Sequence, residues 1–266
     1  MIRRPATDMR NLATCMAGVF AVACLPALGQ VQAEGGGQAL AALVHLQSKS
    51  TAATPRTSDG KPDLSGIWGP DVHFMYDISS ALKPGDTLPI RPDAAKITRD
   101  RMSKDDPDAN CLPSGIPRMT PYPWKIVQTP SLILFLYEGN MHSYRQIFMD
   151  GRDHPKDMDP TWFGDSIGKW DGDALVVDTV GFNDKAWFDD AAHPHTEKLH
   201  VTERYRRVDF GHMDFDVTID DPGAYTRPFT LYGHSHLLEH TEIMEYVCLE
   251  NHQQDLVHIV GKDARK

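Results

Sequence analysis

The stretch "LHVTERYRR", residues 199–207, followed by "MDFDVTIDD", residues 213–221, decides how this chain folds. Paired as a hairpin around "VDFGH", one side sets Arg206 against Asp214, Arg204 against Asp216, Thr202 against Thr218 and His200 against Asp220. The other side sets Val201 against Ile219, Glu203 against Val217 and Tyr205 against Phe215, an apolar face carrying one carboxylate. Such cross-strand pairs contribute about 0.2 to 1 kcal/mol each, and a slip of one residue would exchange the two faces. One register is therefore specified, with Glu203 turned towards the core.

The same texture extends outwards from this hairpin. "SLILFLYE", then Gly139-Asn140, then "MHSYRQIFMD" predicts a hairpin with a two-residue turn, which would set Glu138 against Met141 and Leu134 against Arg145. "SIGKW", then Asp171-Gly172, then "DALVVDTVGF" predicts another, the Asp-Gly pair suiting the positive φ of a type I′ turn. "TRPFTLYGHSHLL" with "TEIMEYVCLEN" predicts a fourth, followed by a strand at "DLVHIVG", residues 255–261. About eight to nine strands with short turns and almost no helix predict an all-β antiparallel barrel; a β-sandwich is the alternative. Between Pro70 and Trp124 lies a long proline-dense insertion, residues 70–123, with a short helix near "PDAAKITRDRM". A loop this long is normally functional or disordered, and it could cover the mouth of a site.

The chain begins differently. Arg3, Arg4 and Arg10 precede the apolar run "NLATCMAGVFAVACLPAL" and then small residues, the pattern of a signal peptide over residues 1–33. A Gly-, Ala-, Ser- and Thr-rich segment, 34–62, reads as a flexible linker, leaving a single barrel domain over 63–262. The protein is expected in the periplasm or secreted; a lipid anchor on Cys24 is disfavoured because Ala21 stands where a lipobox has leucine. No second apolar run approaches the roughly 18 residues that cross a bilayer, so no transmembrane segment is expected in the mature chain. Removing residues 1–33 takes away three arginines and Asp8 and moves the formal charge from -10 to -12. That sign argues against nucleic acid, which wants clustered Lys and Arg. Cys111 and Cys248 remain, either as a long-range disulfide or as two buried thiols.

"GKPDLSGIW", "YRQIFMDGRDHP", "SIGKWDGDALVVDTVGFN", "HPHTEKLHVTERYRR" and "VTIDDPGAY" resemble the recurring segments of a large group of exported bacterial proteins, over about residues 55–251. The resemblance implies export and the domain limits, and it brings no activity with it. "GIW", residues 66–68, is also similar to the Gly-x-Trp motif on the first strand of lipocalins, which implies a calycin-like barrel.

Candidate chemistry centres on Glu203. A buried carboxylate without a charge partner binds its proton more tightly, as a general acid or base requires; the structural alternative is an ion pair with an arginine from another strand, such as Arg145. His193, His195 and Glu197 share the odd parity of Glu203 and would project from the rim of the barrel, unless Pro194 breaks the strand. His193, His195 or His154 would serve as acid-base partner, and Arg204 or Arg145 would stabilise a developing oxyanion. His193-x-His195 and His234-x-His236 each carry the spacing that turns two imidazoles to one face of a strand, as zinc or copper needs. For a metal the preferred set is His193 and His195 with His200 or His154; otherwise no cofactor is expected. Three functions follow: an exported lyase, isomerase or hydrolase acting on a small, partly apolar or aromatic substrate, a lipocalin-like binder of a hydrophobic ligand, or a histidine-ligated metalloenzyme.

Overall fold

The computed structural model describes residues 40–248. The expected signal peptide and the expected strand at 255–261 lie outside them. Nine strands form one sheet in sequence order: β1 (Gly66–Trp68), β2 (Trp124–Gln128), β3 (Leu132–Tyr137), β4 (Tyr144–Phe148), β5 (Asp165–Asp171), β6 (Ala174–Val180), β7 (His200–Arg207), β8 (His212–Asp220) and β9 (Phe229–His236). Every neighbouring pair is antiparallel except β4 with β5, which run parallel. The two ends of the sheet meet where Trp68 bridges Leu237 and Leu238 N–H donates to Ile67 O. The sheet is thus a nearly closed all-β barrel. Closure covers the unpaired backbone groups that an edge strand would present.

β7 and β8 adopt the register that their charges require, His200 opposite Asp220 through Arg206 opposite Asp214. Val201, Glu203, Tyr205 and Arg207 are buried, while the even positions lie outside. Two other hairpins differ from expectation. The β5–β6 turn is Gly172-Asp173, not Asp171-Gly172, because Asp171 pairs with Ala174; Gly172 takes the positive φ, 60°. A shift of two residues keeps every side chain on its expected face. Between β3 and β4 the correction is larger: the connection is not a two-residue turn but a wider loop through a 3-10 turn, Asn140–His142, with Asn140 and Met141 left-handed. Arg145 therefore pairs with Phe135 rather than Leu134, on the side of the buried Ile133 and Ile147. The predicted fourth hairpin lacks its second strand, since residues 241–247 carry no strand; β1 neighbours the end of β9 instead.

The barrel is filled rather than hollow. Trp68, Ile126, Phe135, Leu175, Val177, Val201, Phe215 and Leu231 belong to one core that also takes in Phe74, Ile78, Ala81, Ala94 and Ile116 from the proline-rich insertion. The insertion carries the predicted short helix, Pro92–Asp100, with proline at its first position, where the missing N–H costs nothing. From the segment read as a linker, Ser48 N–H donates to Leu237 O, and Ser50 and Ala52 carbonyls accept from Gly211 and Phe210. Arg207 closes this end of the barrel, its guanidinium 5.1 Å from the Trp68 ring centre and bonded to the carbonyls of Asp63 and Phe210. Cys111 and Cys248 form a disulfide.

Candidate functional site

Glu203 projects from β7 into the barrel, and it is not alone there. Arg145 reaches across from β4 and grips it with both terminal nitrogens, Nη1 at 3.0 Å from Oε1 and Nη2 on Oε2. The same guanidinium donates to Ser166 Oγ at 2.9 Å and Thr179 Oγ1 at 2.6 Å, and Tyr205 O–H donates to Glu203 Oε1 at 2.7 Å. Both charged side chains are about 97–98% withdrawn from solvent. Burial opposes the guanidinium's charge, but the adjoining carboxylate of Glu203 outweighs it and raises the Arg145 pKa. Burial, and then the charge of Glu203, also push up the Tyr205 phenol. Of the two readings of Glu203 that the sequence offers, the fold builds the ion pair with Arg145.

Above this pair lies a narrow aromatic cleft with about 40 Å3 of open space, room for a few waters, so a larger molecule would enter only as the insertion shifts. Barrel residues Trp124, Phe135, Tyr137, Tyr205 and Phe215 form one wall; Phe74 and residues 116–120 of the insertion form the other. The insertion thus covers the pocket. Its polar lining is mostly committed. Arg118 is held by Asp106 through two bonds, 2.7 and 2.8 Å, and by Asp190 at 2.6 Å. Asn140 Oδ1 accepts from Ser114 N–H at 2.6 Å. One group differs: Trp124 is 4% exposed, and its indole Nε1 has no hydrogen-bond partner among the described residues. Buried donors are rarely left so.

No protein-family model, curated protein or solved structure matches the chain.

The other predicted residues are not gathered here. Trp187 bridges Pro194 and Leu199 N–H closes a turn on Thr196 O, so β7 begins only at His200 and the odd parity does not reach back to the histidines. His193 binds Asp189, Nδ1 to Oδ2 at 2.6 Å. His195 stacks on Phe188 with ring centres 5.0 Å apart, and burial lowers its pKa to about 4. Glu197 is exposed. His154 sits outside the barrel, Nδ1 2.6 Å from Asp165 and Nε2 2.9 Å from Asp178, which also takes His200 Nε2 at 2.8 Å. Arg204 is on the outer face too, opposite Asp216 in the register but ion-paired at 2.7 Å with Asp171. The expected set His193, His195 and His200 is thus split between three places. Asp77, Asp189 and His193 do bring ligand atoms within 4.8 Å of one another, but the Asp189 oxygens already accept from the Ile78 and His193 backbones and face the His193 ring.

Sequence reasoning missed Tyr137, Tyr205, Ser166 and Thr179 as parts of the polar network. Tyr205 was findable, since it shares the parity of Glu203. Arg118 and Asp106 come from the insertion, where no periodicity announces a partner.

Proposed function

We propose that this protein is an exported binding protein whose barrel takes a small, flat, uncharged molecule carrying a hydrogen-bond acceptor. One observation carries the reading: the buried indole N–H of Trp124 has no hydrogen-bond partner among the described residues, on the wall of an aromatic cleft whose charged groups are already paired. An aromatic slot favours a flat apolar body. The charges facing it are neutralised internally, Glu203 by Arg145 and Arg118 by two aspartates, so a charged ligand would find no free counter-ion among them. A carbonyl or ether oxygen opposite Trp124 would satisfy the indole. Acid-base catalysis by Glu203 is less well supported, because both its oxygens are occupied and freeing it would strand the Arg145 charge.

The test is calorimetric titration of the mature chain with a panel of aromatic ketones, amides and carboxylates. Neutral acceptors should bind and their carboxylate counterparts should not. Trp124→Phe should weaken binding by about tenfold, the loss of one neutral hydrogen bond. Absence of binding across the panel, or equal affinity in the Phe variant, would overturn the proposal.

A further inference from the structure

Four histidines gather on the outer face of the barrel, away from the pocket. His212 opens β8 and lies directly opposite His236 of β9. His234 precedes His236 by two positions, so both imidazoles leave the same face of the strand. His73 comes from the 3-10 turn Val72–Phe74 and lies beside His234. The ring centres are 5.0 Å apart for His212 and His236, 5.7 Å for His234 and His236, and 6.5 Å for His73 and His234. Two imidazoles bound to one tetrahedral ion at about 2.0–2.1 Å have ring centres about 5 Å apart. The first spacing already meets that value; the ligand atoms of His212, His234 and His236 do not yet all lie within 4.8 Å of one another, so His234, whose side chain is 60% exposed, must turn away from Asp71 to complete the set.

The surroundings of these rings are what a metal site needs. Asp209 Oδ1 lies 2.7 Å from His212 Nδ1. Asp71 Oδ1 lies 2.6 Å from His73 Nδ1, and its Oδ2 lies 3.5 Å from His234 Nδ1 and accepts the His234 backbone N–H at 2.9 Å. A carboxylate on Nδ1 holds the ring proton there, orients the ring and leaves Nε2 as a more basic ligand. Asp71 is itself fixed: its side chain is 1% exposed and tied to two elements. His73 and His212 thus each have a carboxylate hydrogen-bonded at Nδ1, and His234 has one more loosely at 3.5 Å.

We propose that His212, His234 and His236 bind a divalent transition metal ion of the zinc or copper class, with Asp209 and Asp71 as supporting carboxylates and water or His73 completing the shell. Neutral imidazoles suit both ions, and copper binds the more tightly of the two. The site is separate from the pocket and from the set His193, His195 and His200.

The test uses the mature, untagged chain, stripped with chelator and then titrated with zinc chloride and copper chloride by equilibrium dialysis. One ion per chain should bind at this site. His236→Asn, which removes the ligand shared by both close pairs, should weaken it by about 100-fold, and Asp209→Asn by about tenfold. His193→Asn should leave it unchanged. The copper-loaded protein should show hyperfine coupling to at least two imidazole nitrogens, lost in His236→Asn. All substituted side chains reach the surface; should His236→Asn fail to fold, His212→Asn with His234→Asn asks the same question. Absence of stoichiometric binding, retention of affinity in these variants, or its loss in His193→Asn would each overturn the proposal.

Discussion

At the scale of single residues, the Arg145–Glu203 pair governs the interior. Its two charges are buried, bidentate and surrounded by hydroxyl groups that use the remaining donors. Removing one partner from such a pair leaves the other charge without compensation and typically costs about 3–5 kcal/mol, whereas replacing both with apolar side chains is often neutral or stabilising. Glu203→Gln should therefore destabilise the fold by about that amount. Arg145→Met combined with Glu203→Leu should recover most of it, as read from denaturant unfolding. A Glu203→Gln variant as stable as wild type would mean that the pair is not what holds these strands in place. Half of this arrangement was legible in the sequence. Alternation in "LHVTERYRR" turned Glu203 inwards and Arg145 stood as a candidate partner, but choosing between a free and a paired carboxylate depended on a loop whose left-handed Asn140 and Met141 shift β4 by one position against β3. Asn140 holds that loop through Ser114, 26 residues away in sequence, a contact that no local pattern announces.

Between elements, the outer face is joined by a clasp that sequence parity alone could not place. His200 faces Asp220 in the register, yet its ring turns the other way, to Asp178 on β6, where His154 from the loop after β4 also docks and reaches Asp165 on β5. Burial works against the His154 charge, but Asp165 and then Asp178 outweigh it, and its pKa is raised. Burial likewise pushes Asp178 upwards, but His200 and His154 outweigh it and hold it below the usual carboxylate value. A histidine with a raised pKa in the folded state stabilises fully below its unfolded value of about 6.5, and this is lost as pH rises through the folded value. Asp178 contributes in the complementary sense, above its unfolded value and lost as pH falls through the depressed one. The clasp should thus be strongest in mildly acidic solution. The difference in unfolding free energy between wild type and His154→Gln should be larger at about pH 5.5 than at about pH 8.5. A difference that does not change with pH, measured by denaturant titration at both, would show that His154 acts there without its charge. The hairpins themselves were readable, because opposite charges and aromatic pairs fix register. The parallel β4–β5 pair was not, since it follows from a long connection, residues 149–164, rather than from any turn.

For the whole molecule, the question is what keeps the insertion on the barrel. Phe74, Ile78 and Ile116 sink into the common core, and the far side is latched by the chain's return after β9. Met244 N–H donates to Glu138 at 2.9 Å, Tyr246 packs on Tyr122 with ring centres 4.9 Å apart, and Cys248 is bonded to Cys111 across 137 residues of sequence. Tyr122 and Asn140 line the pocket, so the latch and the cover are one assembly. Two cysteines in the sequence left this undecided, because a pairing so distant in the chain depends on the whole fold. A cross-link closing so long a loop removes much of the freedom of the unfolded chain, typically about 2–5 kcal/mol. Replacing both cysteines with serine should lower the unfolding free energy by about 2–5 kcal/mol, and the same fall should follow reduction of the wild-type protein. Ligand affinity at Trp124 should weaken with it, since the cover would be held by packing alone. An unfolding curve that does not move on reduction would instead assign the closure of the barrel to the apolar core, and the disulfide would then be a consequence of the fold and not one of its supports.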